Sequence, residues 1–457
     1  MHITRGVASF TRETAHGLKD AAKEVHRGNV ETTKGLLKGE LTVVEAIKKR
    51  TGHSVAACAS LVSPSKFISF VTESTDSSLV APLADFKEVL YSRCDGKIKK
   101  VDMELALGLL VILQKLSPTP FPEITEYQAA SDRTFAEFKH WMGHAMAAYC
   151  RRTPIHPNSR FTDCNDDLDR IAYTTGVDRA DILLYEDTEA VKSKKWLEYY
   201  LAVDRAKSAV VLSIKGTSSI KAALTDLRCD YIEQGKYKYH RGIFEASEAL
   251  VEHIKDDITR ALDANPTFSL VTCGHSLGGG AAALVAHLLS SKMPDGRFAT
   301  KTENRDIHCY AIGPAAPMCA RASEDCQGLI SSLVHKNDIV PALSDGVLED
   351  IKVFAGYLQE NREYVGRVYF SFARMMACLG DSGKAGEYLA IYKNLATNEK
   401  LVPPGMVYFM GKRGRLRFGR VKDASSVANH FGEARFVLGM LKHHNLLKIR
   451  KTMEKIP

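Results

Sequence analysis

Residues 267–290 read TFSLVTCGHSLGGGAAALVAHLLS. TFSLVTC (267–273) is uncharged and rich in β-branched and aromatic residues, which predicts a strand. Leu277 to Ser291 is almost all small or aliphatic, which predicts a helix. Between them stands Gly274-His275-Ser276-Leu277-Gly278, a G-x-S-x-G string in the strand–turn–helix setting that a nucleophile elbow requires. Such a turn lifts the serine hydroxyl clear of the sheet. Side chains two residues before and after it collide, which accounts for Gly274 and Gly278. The helix amino terminus below adds positive potential for an oxyanion. The plainer alternative is a glycine-rich loop with an incidental serine.

Outward from this string the chain alternates. WLEYYLAV (196–203), SAVVLSI (208–214), DIHCYAI (306–312) and ISSLVH (330–335) read as strands. Phe244 to Leu262 reads as a helix, as does the stretch holding Phe135, Phe138, Met142, Ala145, Met146 and Tyr149. Alternation of this kind predicts an α/β protein, a mainly parallel sheet flanked by helices, with its chemistry beyond the carboxyl ends of the strands.

A serine needs a base to become a nucleophile, and the base needs an orienting acid. In this setting the chain order is Ser, acid, His. HKNDIVP (335–341) puts Asp338 at a strand end, stiffened by Pro341; Asp345 and Asp350 lie beyond, in a stretch that reads as a loop. Three histidines follow: His430, His443 and His444. A helix would set His444 on the face of Leu441 and Val437 and turn His443 about 100° away towards solvent. His444 is therefore the expected base and His443 its rival. For the oxyanion, one donor is the N–H of Leu277. The second is expected after strand SAVVLSI, in Lys215-Gly216-Thr217, where Thr217 offers its N–H and hydroxyl.

VLSIKGTSSIKAALTDL (211–227), the 274–280 elbow and NDIVP (337–341) together resemble the class 3 lipases, the family of fungal triacylglycerol lipases. YYLAVDRAKSAVVLSIKGTSSIKAALTDL, LVPPGMVYF (401–409) and the ending FGEARFVLGMLKHHNLLKIRKTMEKI (431–456) are closer still to sn-1-specific diacylglycerol lipases. The family's base histidine follows a Met-Leu-x-x-His pattern, here Met440 to His444. The family commonly has Arg at the position of Lys215 and an acid at that of His443. The resemblance covers patches of 130–457. It implies an α/β-hydrolase fold, carboxylester hydrolysis, no metal and no cofactor. It also implies a lid helix in SSIKAALTDL (218–227), for which a fixed helix is the alternative.

The chain has 457 residues, 45% of them hydrophobic and 25% charged, an ordinary globular mix. No run reaches the length of a membrane span, and residues 1–30 offer no apolar leader core. Ten scattered cysteines without a C-x-x-C pair suggest reduced thiols and no zinc site. Gly6, Gly17, Gly28 and Gly39 open four 11-residue units, so like positions stack along a nearly straight, weakly amphipathic helix. It can lie in a lipid interface or pack on the rest of the chain. Ten Lys/Arg face six Asp/Glu in 1–50, and twelve face three in 401–457. Basic ends without nucleic-acid motifs favour an anionic membrane surface.

The expected organisation is an N-terminal helical extension (1–50, the repeat; 51–125, helical) before an α/β-hydrolase domain at 126–457. The joint falls in the Pro-rich 117–123, and a cap or insertion is expected at about 345–400. The expected activity is hydrolysis of a neutral glycerolipid, diacylglycerol or triacylglycerol, by a cytoplasmic protein touching a membrane or lipid droplet. Phospholipase A1 or monoacyl esterase activity is the alternative within enzymes. A catalytically silent lipid-binding scaffold is the alternative outside them.

Overall fold

A computed structural model describes residues 122–128, 133–150, 166–187, 196–217, 230–290, 304–361, 382–413, 415–433 and 440–456, with isolated positions elsewhere after residue 90. The 11-residue repeat, the expected lid at 218–227 and residues 362–381 lie outside the described residues.

The strands are β1 Ile124–Gln128, β2 Ile182–Glu186, β3 Tyr199–Asp204, β4 Ala209–Ile214, β5 Tyr231–Gln234, β6 Tyr237–His240, β7 Ser269–His275, β8 Phe298–Ala299, β9 Asn304–Arg305, β10 Ile307–Ile312, β11 Met318–Cys319, β12 Ile330–His335, β13 Leu401–Val402, β14 Met406–Arg413 and β15 Arg415–Val421. Nine of them form one sheet, ordered β1-β15-β14-β12-β10-β7-β4-β3-β2. The five central strands, β14 to β4 in that order, run parallel. The outer ones turn back antiparallel through hairpins such as β3–β4. This is the α/β-hydrolase arrangement. β3 and β4 are buried along their whole length, as strands covered on both faces must be.

The helices are α1 Arg133–Ala147, α2 Asp167–Thr175, α3 Arg241–Asp263, α4 Leu277–Ser290, α5 Ala320–Asp325, α6 Asp345–Glu360, α7 Ser382–Leu395, α8 Ala424–Phe431, α9 Met440–His443 and α10 Leu446–Met453. Side chains alternate across a strand, so β7 serves two layers. Val271 and Cys273 meet Trp141 of α1, while Thr272 points the other way and donates to the Ala282 carbonyl of α4 at 2.9 Å. On the first face Phe135, Phe138, Met142 and Met146 of α1 join Ile312, Leu333, Tyr408 and Phe418 from the strands and Leu446, Ile449 and Met453 from α10.

The chain divides into two compact units. One comprises Pro120–Val347, Glu399–Arg435 and Met440–Pro457 and holds the nine-stranded sheet. The other comprises residues up to Thr119 with Leu348–Asn398 and Phe436–Gly439. In that second unit Leu348, Ile351, Phe354 and Leu358 of α6 are buried, and Phe354 meets Tyr392 of α7 edge-on at 5.4 Å. Asp345 and Asp350, expected in a loop, lie on α6, whose apolar residues recur at helical spacing. Among the described residues no helix is long and apolar enough to cross a membrane.

Candidate active site

β7 ends at His275 and α4 begins at Leu277, leaving Ser276 alone at the bend. Its φ is 59°, in the left-handed region that non-glycine residues rarely enter. The bend is fixed from both sides. Ser276 donates its N–H to the Ile312 carbonyl at 3.0 Å, and its own carbonyl accepts from Gly279, Gly280 and Ala315 at 3.0–3.1 Å. A Cβ on Gly274 would strike the Gly278 carbonyl, and one on Gly278 the Ile214 carbonyl and the Gly216 amide. The collisions that the string implies are therefore with backbone, which cannot step aside.

Three side chains meet here, from the turn after β7, the turn after β12 and the joint between α9 and α10. The His444 ring lies with Nε2 2.8 Å from Ser276 Oγ and Nδ1 3.0 and 3.1 Å from the two carboxylate oxygens of Asp338. A carboxylate only accepts, so Nδ1 carries the ring proton and Nε2 is free to accept from the serine hydroxyl. Asp338 Oδ1 also accepts the Val340 N–H at 3.0 Å. All three residues are buried. Asp338 follows β12 through a turn in which Lys336 takes φ of 51°. Gly313, after β10, has φ of 49°, and a Cβ there would lie 2.9 Å from Asp338 Oδ2.

His444 does not sit on a helix face, as its sequence spacing suggested. α9 is a single turn ending at His443, and His444 occupies the joint before Asn445 caps α10. That joint is gripped by two more imidazoles. His275 Nε2–H donates to the His444 carbonyl at 3.0 Å, and its Nδ1 accepts the Tyr149 hydroxyl at 3.1 Å. His335 Nδ1–H donates to the His443 carbonyl at 2.9 Å. Burial and the adjacent His444 hold His275 well below the ordinary histidine range, and burial lowers His335 to about 4. Both stay neutral near pH 7. His443, expected on the polar side, is instead half-buried with its ring edge-on to His335 at 5.4 Å. Burial, then the neighbouring His335 and lysines, lowers it to about 3. The structure brings His444, and not His443, to Ser276.

At the end of β4, a Cβ on Gly216 would meet the His275 carbonyl and the Tyr149 hydroxyl, so the backbone of this loop lies against the elbow. Thr217 follows. Its Oγ1 is buried and finds no hydrogen-bond partner among the described residues. Leu277 opens α4, so its N–H is one of the first-turn amides without an intrahelical acceptor. His275, Tyr149, His335 and Gly313 escaped the sequence reading. Only His275 carried a signal, its place inside the G-x-S-x-G string.

The fold and this arrangement define an α/β-hydrolase with a nucleophile elbow. Residues 211–347 match the family model Lipase (class 3), so that segment is similar to the class 3 lipases. It is 29% identical over 191 residues to diacylglycerol lipase-beta of Mus musculus, covering 40% of this chain and 26% of that one. It is also 29% identical over 205 residues to secreted mono- and diacylglycerol lipase 1 of Fusarium solani, covering 41% of this chain and 57% of that one. The chain thus spans less than two thirds of these relatives. The crystal structure of a lipase from Rhizopus microsporus var. chinensis superposes with a TM-score of 0.45 at 16% identity, over 72% of this chain and 91% of that one.

Proposed function

We propose that this chain is a serine lipase that hydrolyses a carboxylester of a neutral glycerolipid, with diacylglycerol the favoured substrate. The carrying observation is the relay from Ser276 Oγ through His444 to Asp338, with contacts of 2.8 and 3.0 Å. Asp338 fixes the His444 tautomer, and His444 takes the Ser276 proton as Oγ attacks the ester carbonyl. The N–H groups of Leu277 and Thr217, with the Thr217 hydroxyl, receive the oxyanion. The alcohol leaves with the proton from His444. Water, deprotonated by the same ring, then releases the acid and regenerates the hydroxyl. The names of the relatives support a mono- or diacylglycerol substrate.

A fluorophosphonate should label the parent chain and fail on Ser276→Ala, and a short-chain chromogenic ester should be turned over by the parent alone. No labelling and no turnover would leave the scaffold reading. Diacylglycerol, triacylglycerol and phospholipid, compared in mixed vesicles, then separate the lipase classes; preference for phospholipid would overturn the neutral-lipid assignment.

The domain reading is proposed in the same form: the hydrolase at 126–457 with a cap at about 345–400, the repeat at 1–50 and a helical region at 51–125. The basic repeat is the contact with a cytoplasmic membrane or droplet surface. Deleting 1–50 should weaken flotation with anionic vesicles and spare soluble-ester turnover. Unchanged flotation would remove the repeat from that role.

A further inference from the structure

The opposite end of the sheet holds a second cluster of polar side chains. Asp204, the last residue of β3, pairs with Ala209, the first of β4, and Ala209 pairs with Ser269, the first of β7. Ser276 follows the last residue of β7, so the cluster lies roughly 20 Å along the strands from the nucleophile. Across from Asp204, α1 carries His140 and His144 four residues apart, on one helix face. Both Nε2 atoms converge on a single oxygen, Asp204 Oδ2, at 2.6 and 3.1 Å. The three candidate donor atoms all lie within 4.8 Å of one another.

The surroundings orient these atoms inward. Asp204 Oδ1 accepts the Lys207 N–H at 3.1 Å, which leaves Oδ2 to face the rings. His144 Nδ1 lies 2.9 Å from the Tyr200 hydroxyl, and that hydroxyl donates to the His144 backbone carbonyl at 3.1 Å. A phenol has one proton. Spent on the carbonyl, it leaves the phenol oxygen to accept from His144 Nδ1–H. In that tautomer the Nε2 lone pair of the neutral ring points at a carboxylate oxygen, an arrangement that a cation between them relieves. A ligating histidine held by its other nitrogen is the usual outer-shell arrangement of a metal site. His144 and Asp204 are buried, while the His140 side chain is 25% exposed and gives a way in.

We propose that His140, His144 and Asp204 form a binding site for a divalent transition metal, best fitted by zinc, with water as fourth ligand. Two imidazole nitrogens and one carboxylate oxygen suit zinc, whereas calcium and magnesium favour all-oxygen shells. Tetrahedral zinc separates its donors by roughly 3.3 Å, so the His140–Asp204 pair opens by less than about 1 Å on loading. At this distance from Ser276 the ion ties α1 to the β3–β4 hairpin and takes no part in ester chemistry. The sequence reading, which looked for cysteine spacing, passed over the His-x-x-x-His pair because its third ligand arrives 60 residues later.

The test uses the full chain, stripped with a chelator and titrated with Co²⁺ and, separately, Zn²⁺. Expected are the intense visible bands of tetrahedral Co²⁺, displaced by Zn²⁺, and a melting temperature that rises with Zn²⁺. His140→Ala, at the exposed edge of the cluster, should fold and lose both responses. Tyr200→Phe should weaken metal affinity by about 10- to 100-fold. Absence of the bands and of the Zn²⁺-dependent shift in the parent overturns the proposal, and so does an undiminished response in His140→Ala, which would assign the metal to other groups such as the free thiols.

Discussion

Ser276 is held at φ of 59° by three amides on its carbonyl and one carbonyl on its amide, so its hydroxyl is presented whether or not substrate is there. Thr217 is the complementary case, a buried hydroxyl with no hydrogen-bond partner among the described residues. Thr217→Val keeps the shape and removes that donor. Its turnover of a soluble ester should fall about 100-fold with KM little changed, the loss typical of one oxyanion donor. Turnover equal to the parent would take the hydroxyl out of the oxyanion site. Gly313 meets two constraints at once, a left-handed φ and an acid 2.9 Å from where a Cβ would stand. Gly313→Ala should displace Asp338 from His444 and lower kcat by at least about tenfold, because relay geometry is intolerant of such shifts. A variant with normal kcat and stability would show that the turn absorbs the methyl.

At the level of elements, the joint between α9 and α10 is the part most exposed to error. It holds the His444 imidazole between two short helices, and short helices are weakly stable alone. Two neutral imidazoles, His275 and His335, supply the missing rigidity by donating to successive backbone carbonyls. They are positioning residues, since neither reaches the serine hydroxyl. Tyr149→Phe removes the hydrogen bond that orients the His275 ring. We expect kcat to fall about tenfold with KM unchanged and about 1 kcal/mol of stability to be lost. A matching fall in stability with no change in kcat would mean that the grip serves the fold alone.

In the molecule as a whole, one buried and two half-buried histidines share one consequence. His335 is lowered to about 4, and His430 and His443 to about 3, each chiefly by burial. The unfolded chain takes up these protons near pH 6.5 and the folded chain only near 3–4. Their contribution is therefore complete above about pH 6.5 and is lost as pH falls through that interval, at a limiting rate of about 1.4 kcal/mol per pH unit for each group. The urea midpoint should be lower at about pH 5 than at about pH 7.5, and His335→Asn should narrow the gap; a midpoint independent of pH would contradict this. How much of the molecule was legible follows the range of the forces involved. Strands β4, β7, β10 and β12, helix α4 and the elbow at Ser276 could be read within a residue or two, because runs of apolar and β-branched residues and backbone sterics act between near neighbours. The places of Asp338 after β12 and Thr217 after β4 could be read in the same way. The meeting of His444 with Ser276 across 168 residues, the grip of His275 and His335 on its backbone, and the convergence of His140 and His144 on Asp204 are products of packing. Those contacts exist only once the layers close and burial brings distant polar groups within reach of one another, a condition that no local stretch of sequence carries.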